Sequence, residues 1–172
     1  MGLKVAIVGT GSFAGCFIPL FKAHPLVGEL SLCDLDAGKL AAAAERFGVR
    51  RTFPSLDAAC ASDVDAVAIF TQNWLHGPQA AQALAAGKHV YSAVPPCISL
   101  EELGALVRAV EETGRIYMLG ETSYYYPAVI YCRQKFAEGA FGHVVYAEGN
   151  YYHDYDDGLY EIMKERGGAN WR

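Results

Sequence analysis

The sequence predicts an α/β fold, a doubly wound parallel sheet, followed by the beginning of an α+β domain that the chain cuts short. Three observations predict it. Through the first 120 positions, short apolar runs alternate with longer amphipathic ones. A glycine-rich turn directly follows the first apolar run. After Gly120 the alternation stops and a run of high β-propensity appears. Apolar strands joined by helices imply a parallel sheet covered on both faces.

The elements follow in order. Leu3–Val8 is a buried strand and Ser12–Ala23 the helix behind it. Leu30–Cys33 is a second strand, and Ala37–Phe47 an alanine-rich helix closed by Gly48. Val49–Phe53 reads as a short strand, and Leu56–Ala61 as a short helix behind Ser55. Ala66–Phe70 is another buried strand, followed by a helix over Pro78–Ala86 that ends at Gly87. His89–Ser92 is a strand, and Ser99 with Glu102 forms a capping box that opens a helix to about Thr113. Ile116–Leu119 is the sixth strand of a domain spanning 1–120.

The remaining residues, 121–172, read as the start of a second domain for substrate or oligomer contacts. Tyr124–Glu138 is helical in character. Val144–His153 has the composition of a long strand, which needs a sheet to join. A hairpin folded back on the first domain is the alternative.

Composition excludes several classes. Hydrophobic residues make up 52% and charged residues 19%, too apolar for disorder. A net charge of -5 excludes a generally basic nucleic-acid binder. Five widely spaced cysteines, without a Cys-x-x-Cys pair, argue against a disulfide framework or zinc module and for a reducing compartment. No apolar run is long enough for a membrane span, and no basic leader precedes the first, so a cytoplasmic location is expected. Asp154, Asp156 and Asp157 read as a solvated turn, and no metal is expected.

Gly9-Thr10-Gly11-Ser12-Phe13-Ala14 has the form G-x-G-x-x-A between a strand and a helix. Gly9 permits the tight turn, Gly11 lets a pyrophosphate approach the backbone, and Ala14 lets the helix pack closely. The helix N-terminus offers N–H groups to phosphates. Asp34 ends the second strand, placed to accept from a ribose 2′-OH and repel a 2′-phosphate, so NAD is favoured over NADP. Asp34 as a helix cap is the alternative, although Asp36 is better placed for that role.

Trp74, His76 and the run Ala83-Leu84-Ala85-Ala86-Gly87-Lys88-His89-Val90, taken with the turn at Gly9, resemble the Gfo/Idh/MocA oxidoreductase family. The resemblance implies a Rossmann domain followed by a domain on a large open sheet, with sugars or cyclitols as substrates. After the His-Val pair, dehydrogenases of this family carry Glu-Lys-Pro, whose lysine serves the reacting hydroxyl. Here Ala93-Val94-Pro95 stands instead, and valine handles no proton.

The NAD-dependent glycosidases of the same family have a valine-proline pair here. The stretch Gly120-Glu121, then Phe141-Gly142, then Ala147 to Asp154 is also similar to theirs. In those enzymes NAD oxidises a ring carbon transiently, the leaving group is eliminated, water adds and the hydride returns. The resemblance implies Glu121 near the nicotinamide, and Tyr151 and His153 facing the sugar as the catalytic pair.

Strand periodicity places Tyr151 and His153 on one face, and Tyr146, Glu148, Asn150 and Tyr152 on the other. Ordinary sheet-surface residues are the alternative for the pair. The candidate cofactor set is Gly9, Gly11, Ser12, Phe13, Asp34, Thr71, Asn73, His76 and Glu121, with orientation of a helix start as the alternative for His76. Tyr124-Tyr125-Tyr126 reads as interdomain packing.

The function expected is hydride transfer between NAD and a sugar or cyclitol. An NAD-recycling glycosidase or lyase is the second reading, and a non-catalytic NAD-binding remnant the third. The 172-residue chain by itself is expected to be inactive. A homo-oligomer is expected, since severed apolar strands tend to pair. Neither nucleic acid nor membrane is an expected partner.

Overall fold

The structure, a computed structural model, describes residues 2–152, 154, 158, 160, 161, 163 and 164. The chain divides into two compact units between Gly120 and Glu121. The first is a six-stranded parallel sheet: β1 (Leu3–Val8), β2 (Val27–Cys33), β3 (Arg51–Phe53), β4 (Ala66–Ile69), β5 (His89–Ser92) and β6 (Tyr117–Leu119). Helices α1 (Ser12–Ala23), α2 (Ala37–Phe47), α3 (Leu56–Cys60), α4 (His76–Ala85) and α5 (Leu100–Thr113) connect them. Strand order is β3-β2-β1-β4-β5-β6, so the winding reverses between β1 and β4.

Strand alternation divides the apolar runs between two cores. Val5 and Ile7 of β1 pack with Ile18 of α1 and Leu40 and Ala43 of α2. Ala6 and Val8 pack with Val67 and Ile69 of β4 and with Ala80, Ala83 and Leu84 of α4. A run apolar at every position is the consequence of helices on both faces. Burial pushes the Cys33 thiol up to about 12, with Asp34 and Cys60 adding to the effect, so this cysteine is a core residue.

Side chains set the helix starts. The Asp36 carboxylate accepts from the N–H groups of Gly38 (2.9 Å) and Lys39 (3.0 Å), confirming it as the cap of α2. Ser55 caps α3 through the Ala58 N–H and Ser99 caps α5 through the Glu102 N–H. Glu102 reaches back to the Ile98 N–H at 3.0 Å, completing the box one residue earlier than the standard form.

The element boundaries differ from expectation where backbone geometry outweighs side-chain character. β2 begins at Val27 rather than Leu30, running past Glu29. β3 is shorter by two residues, because the Val49 N–H donates to Ala44 in the turn that closes α2. α4 starts at His76, two residues before Pro78. Proline is harmless there, since first-turn N–H groups lack intrahelical partners anyway.

In the second unit, α6 (Pro127–Ala137) opens at its proline, and Ser123–Tyr125 form a single 3₁₀ turn rather than the helix start expected from Tyr124. The expected strand at Val144–His153 is not formed over its described part, Val144–Tyr152. High β-propensity measures fit to a pleated surface, and the described residues of this unit offer no neighbouring strand to complete a ladder. His153 lies outside the described residues, as do Asp156 and Asp157.

The alternation nevertheless survives in the side chains. The Tyr146 hydroxyl donates to Glu148 (2.9 Å), Asn150 Nδ2 donates to Glu148 (3.2 Å), and the Tyr152 hydroxyl donates to Asn150 (3.2 Å). Contacts at every second residue place these four on one side of the segment. The bonds from Asn150 and Tyr146 hold the Glu148 carboxyl below its ordinary range. No helix among the described residues is long and apolar enough to cross a membrane.

Candidate functional site

The C-terminal ends of β1, β2, β4 and β5 gather the candidate residues of the first unit. At the end of β1 the chain turns through Gly9 at φ +88°, a conformation that disfavours a Cβ. A Cβ there would also lie 2.8 Å from the Phe70 carbonyl oxygen, so the turn rests directly on the end of β4. The Gly9 N–H donates to the Cys33 carbonyl (2.8 Å), fixing the turn to β2 as well.

Gly11 is the cap residue of α1 and supplies no side-chain cap bond. The backbone amides of the first turn of α1, where Ser12 and Phe13 stand, form the positive end of the helix dipole, the kind of place where phosphates bind. No heavy atom lies within 4 Å of a Cβ built on Gly11, so the space above the turn is open. Ala14 is fully buried against the sheet. An open, uncapped helix N-terminus above a bare glycine fits the diphosphate of a dinucleotide.

Asp34 is half-buried and bonded on both oxygens. Its Oδ2 accepts the Thr10 N–H at 2.8 Å and the Thr10 hydroxyl at 2.7 Å, while Oδ1 accepts the Asp36 N–H at 3.0 Å. A carboxylate offers about four acceptor positions, so one remains on Oδ1, and rotation of the Thr10 hydroxyl frees another. Thr10 was one of the unspecified positions of the glycine motif. Its pairing with Asp34, 24 residues on, follows from β1 lying beside β2 and leaves no trace in local spacing.

Phe13 packs on Phe17 (5.0 Å between ring centroids) and on Phe70 (6.0 Å). Phe17, Phe21 and Tyr91 extend this into an aromatic cluster beside the turn. The spacing of Phe13, Phe17 and Phe21, four residues apart, is the signal for that stripe.

Beyond β4, the Thr71 hydroxyl donates to Gln79 at 2.6 Å, and the exposed Asn73 begins a 3₁₀ turn whose other two residues are half-buried. His76 is 1% exposed, with Nε2 2.9 Å from the Thr71 carbonyl oxygen and Nδ1 2.8 Å from that of Pro95. After β5, Ala93 is buried and Val94 is 41% exposed, ahead of a cis peptide to Pro95. No side chain at 93 or 94 can exchange a proton.

In the second unit the Glu121 carboxylate accepts the Ser123 N–H at 2.7 Å. The Tyr151 side chain is exposed. Tyr124 and Tyr125 stack edge-to-face, with the Arg133 guanidinium 3.6 Å from the centre of the Tyr124 ring. Among the described residues no group of three His, Cys, Asp or Glu side chains could hold a metal ion.

Comparison with known proteins agrees with this geometry. The chain is 29% identical over 180 aligned residues to a glycosyl hydrolase family 109 protein of Shewanella amazonensis, covering 99% of this chain and 39% of that protein. It is 30% identical over 138 residues to a 4-carboxy-2-hydroxymuconate-6-semialdehyde dehydrogenase of Sphingobium, covering 80% and 44% respectively. The scyllo-inositol dehydrogenase of Lactobacillus casei, solved with NAD(H) and scyllo-inositol, superposes with a TM-score of 0.76. That match has 23% identity and covers 83% of this chain and 43% of the dehydrogenase, a likeness of fold. The chain thus spans about two fifths of the length of the curated relatives it matches. Residues 3–121 match the model of the oxidoreductase family with an NAD-binding Rossmann fold. Turn, acidic residue, sheet order and family model agree, and the chain belongs to the Gfo/Idh/MocA oxidoreductase family.

Proposed function

We propose that the protein acts on a sugar or cyclitol by hydride transfer with NAD, in the recycling form used by glycosidases of the family. The observation that carries the choice of form is the pair Ala93-Val94. One side chain is buried and the other, although exposed beside the end of β5, is a hydrocarbon. Oxidation of a sugar hydroxyl needs a group to take its proton in either form, and these positions supply none. Val94-Pro95 favours the recycling form because it is the pair that resembles the glycosidases of the family rather than its dehydrogenases.

When bound, NAD supplies a hydride acceptor that can return what it takes. The chain's own residues bind and orient it: α1 N–H groups on the diphosphate, Asp34 on a ribose. Tyr151 and His153 are proposed as the pair that moves protons at the sugar, and Glu121 as a neighbour of the nicotinamide. Support comes from the glycosyl hydrolase family 109 relative, whose match extends over 99% of this chain. Plain oxidation of a sugar or cyclitol is the second reading, favoured by the 30% identity to a dehydrogenase of Sphingobium.

Assay of the full-length protein, rather than of the 172-residue chain by itself, on aryl glycosides in deuterated water separates the two. The recycling form cleaves glycoside with catalytic NAD, no accumulating NADH, and deuterium entering beside the transiently oxidised carbon. Stoichiometric NADH without deuterium incorporation would contradict it and restore the plain dehydrogenase. Tyr151→Phe and His153→Ala are each expected to lower turnover by about 10²-fold or more, the scale of general acid–base catalysis, with NAD binding retained.

A further inference from the structure

We infer that His76 is a positioning residue for the nicotinamide half of the dinucleotide, acting through two loops that its ring ties together. The inference rests on the NAD-binding reading of the first unit. Thr71 follows β4 and Pro95 follows β5, and these strands are neighbours paired Ile69 to Ser92. The ring spans their carbonyl oxygens at 2.9 and 2.8 Å and so joins the two loops at the C-terminal edge of the sheet. Buried polar groups need partners, and here each ring nitrogen faces one. Both partners are acceptors, so at least one contact is an N–H donation whichever tautomer the ring takes.

The next residue reinforces the join. A Cβ on Gly77 would lie 2.9 Å from Cys97 Cβ and 3.0 Å from Glu102 Oε2, so the loop after β5 packs against the bare backbone of α4. Glu102 holds the same loop through the Ile98 N–H at 3.0 Å. The first loop is held in turn by the Thr71–Gln79 bond.

The placement of these loops gives the join its purpose. Asp34 lies on the β2 side of the switch between β1 and β4, and the uncapped start of α1 lies at the switch itself. With adenosine on the β2 side and the diphosphate at α1, the second nucleoside extends over β4 and β5. Its walls are then the loops that His76 joins. The ring is 1% exposed with both nitrogens engaged, so it acts on the ligand only by holding Thr71 and the backbone that presents Val94. Of the two roles its position in sequence suggests, touching the cofactor and orienting the helix start, that burial favours the second.

Three variants grade the join. His76→Asn keeps an N–H near the place of Nδ1, His76→Gln keeps one near the place of Nε2, and His76→Phe keeps neither. Each is titrated calorimetrically with NAD and with ADP-ribose, which lacks only the nicotinamide. We expect His76→Phe to weaken NAD by about tenfold, the scale of one or two lost hydrogen bonds, while ADP-ribose changes less than about twofold. The Asn and Gln variants fall between, and they carry the test if the Phe variant does not fold. Equal losses for both ligands, or unchanged NAD affinity, would overturn the inference. A wild-type chain that binds neither ligand would instead overturn the NAD reading on which it rests, and that result precedes any variant.

Discussion

Gly9→Ala is expected to remove NAD binding and to lower the melting temperature by about 4–20 °C. Two costs add. At φ +88° an alanine pays about 1–2 kcal/mol for its backbone conformation. Its Cβ would sit 2.8 Å from the carbonyl oxygen of Phe70, the residue just after β4, whose N–H is held by the Val8 carbonyl. Moving that carbonyl disturbs the β1–β4 pairing at Val8 and Ile69, and overpacking of this kind costs about 1–3 kcal/mol. Each kcal/mol shifts the midpoint of a domain this size by about 2–4 °C. Thermal unfolding monitored by circular dichroism, beside calorimetry with NAD, measures both effects. Gly11→Ala is the contrast: its Cβ meets nothing within 4 Å, so stability should hold while the added methyl group obstructs the diphosphate. A Gly9→Ala chain as stable as the parent would show that the turn is not pinned to β4.

Asp34→Ala is expected to collapse the preference for NAD over NADP. The carboxylate would accept from ribose hydroxyls and meet a 2′-phosphate with like charge. Losing one or two charge-assisted hydrogen bonds weakens NAD by about ten- to a hundredfold, while NADP is relieved of repulsion. An initial preference of at least about tenfold should then approach unity. The variant also leaves the Thr10 N–H without its carboxylate partner, at a cost of about 1–3 kcal/mol in stability. Asp34→Asn separates these effects, because it keeps an acceptor for Thr10 while removing the charge. A cofactor ratio unchanged in both variants would remove Asp34 from the ribose role.

What was legible in the sequence follows from which forces are local. The central strands could be read because their apolar runs must fill two cores, as Val5 with Ile7 and Ala6 with Val8 do. The helix caps at Asp36, Ser55 and Ser99 were legible because a cap reaches only two or three residues ahead. The glycine turn was legible because its strand–turn–helix context is contiguous.

Legibility ended where distant carbonyls and strand partners decide. The run from Val144 has the composition of a strand, yet the described residues hold no partner strand for it, and only its side-chain alternation persists. His76 stood out by its place in a motif, but its second partner is the Pro95 carbonyl, 19 residues on. Thr10 was invisible for the same reason, since its partner Asp34 is brought close by β2.

The claim that joins all of this is that one dinucleotide lies across the switch between β1 and β4. Backbone amide resonances of the chain, followed by NMR during titration with NAD, test it most directly. The account predicts that the perturbed amides concentrate at Gly9–Ala14, around Asp34, and in the loops 71–76 and 93–97. It also predicts little change at the opposite sheet edge around Arg50 and Lys88. Perturbations centred on that opposite edge, or none at saturating NAD, would contradict it.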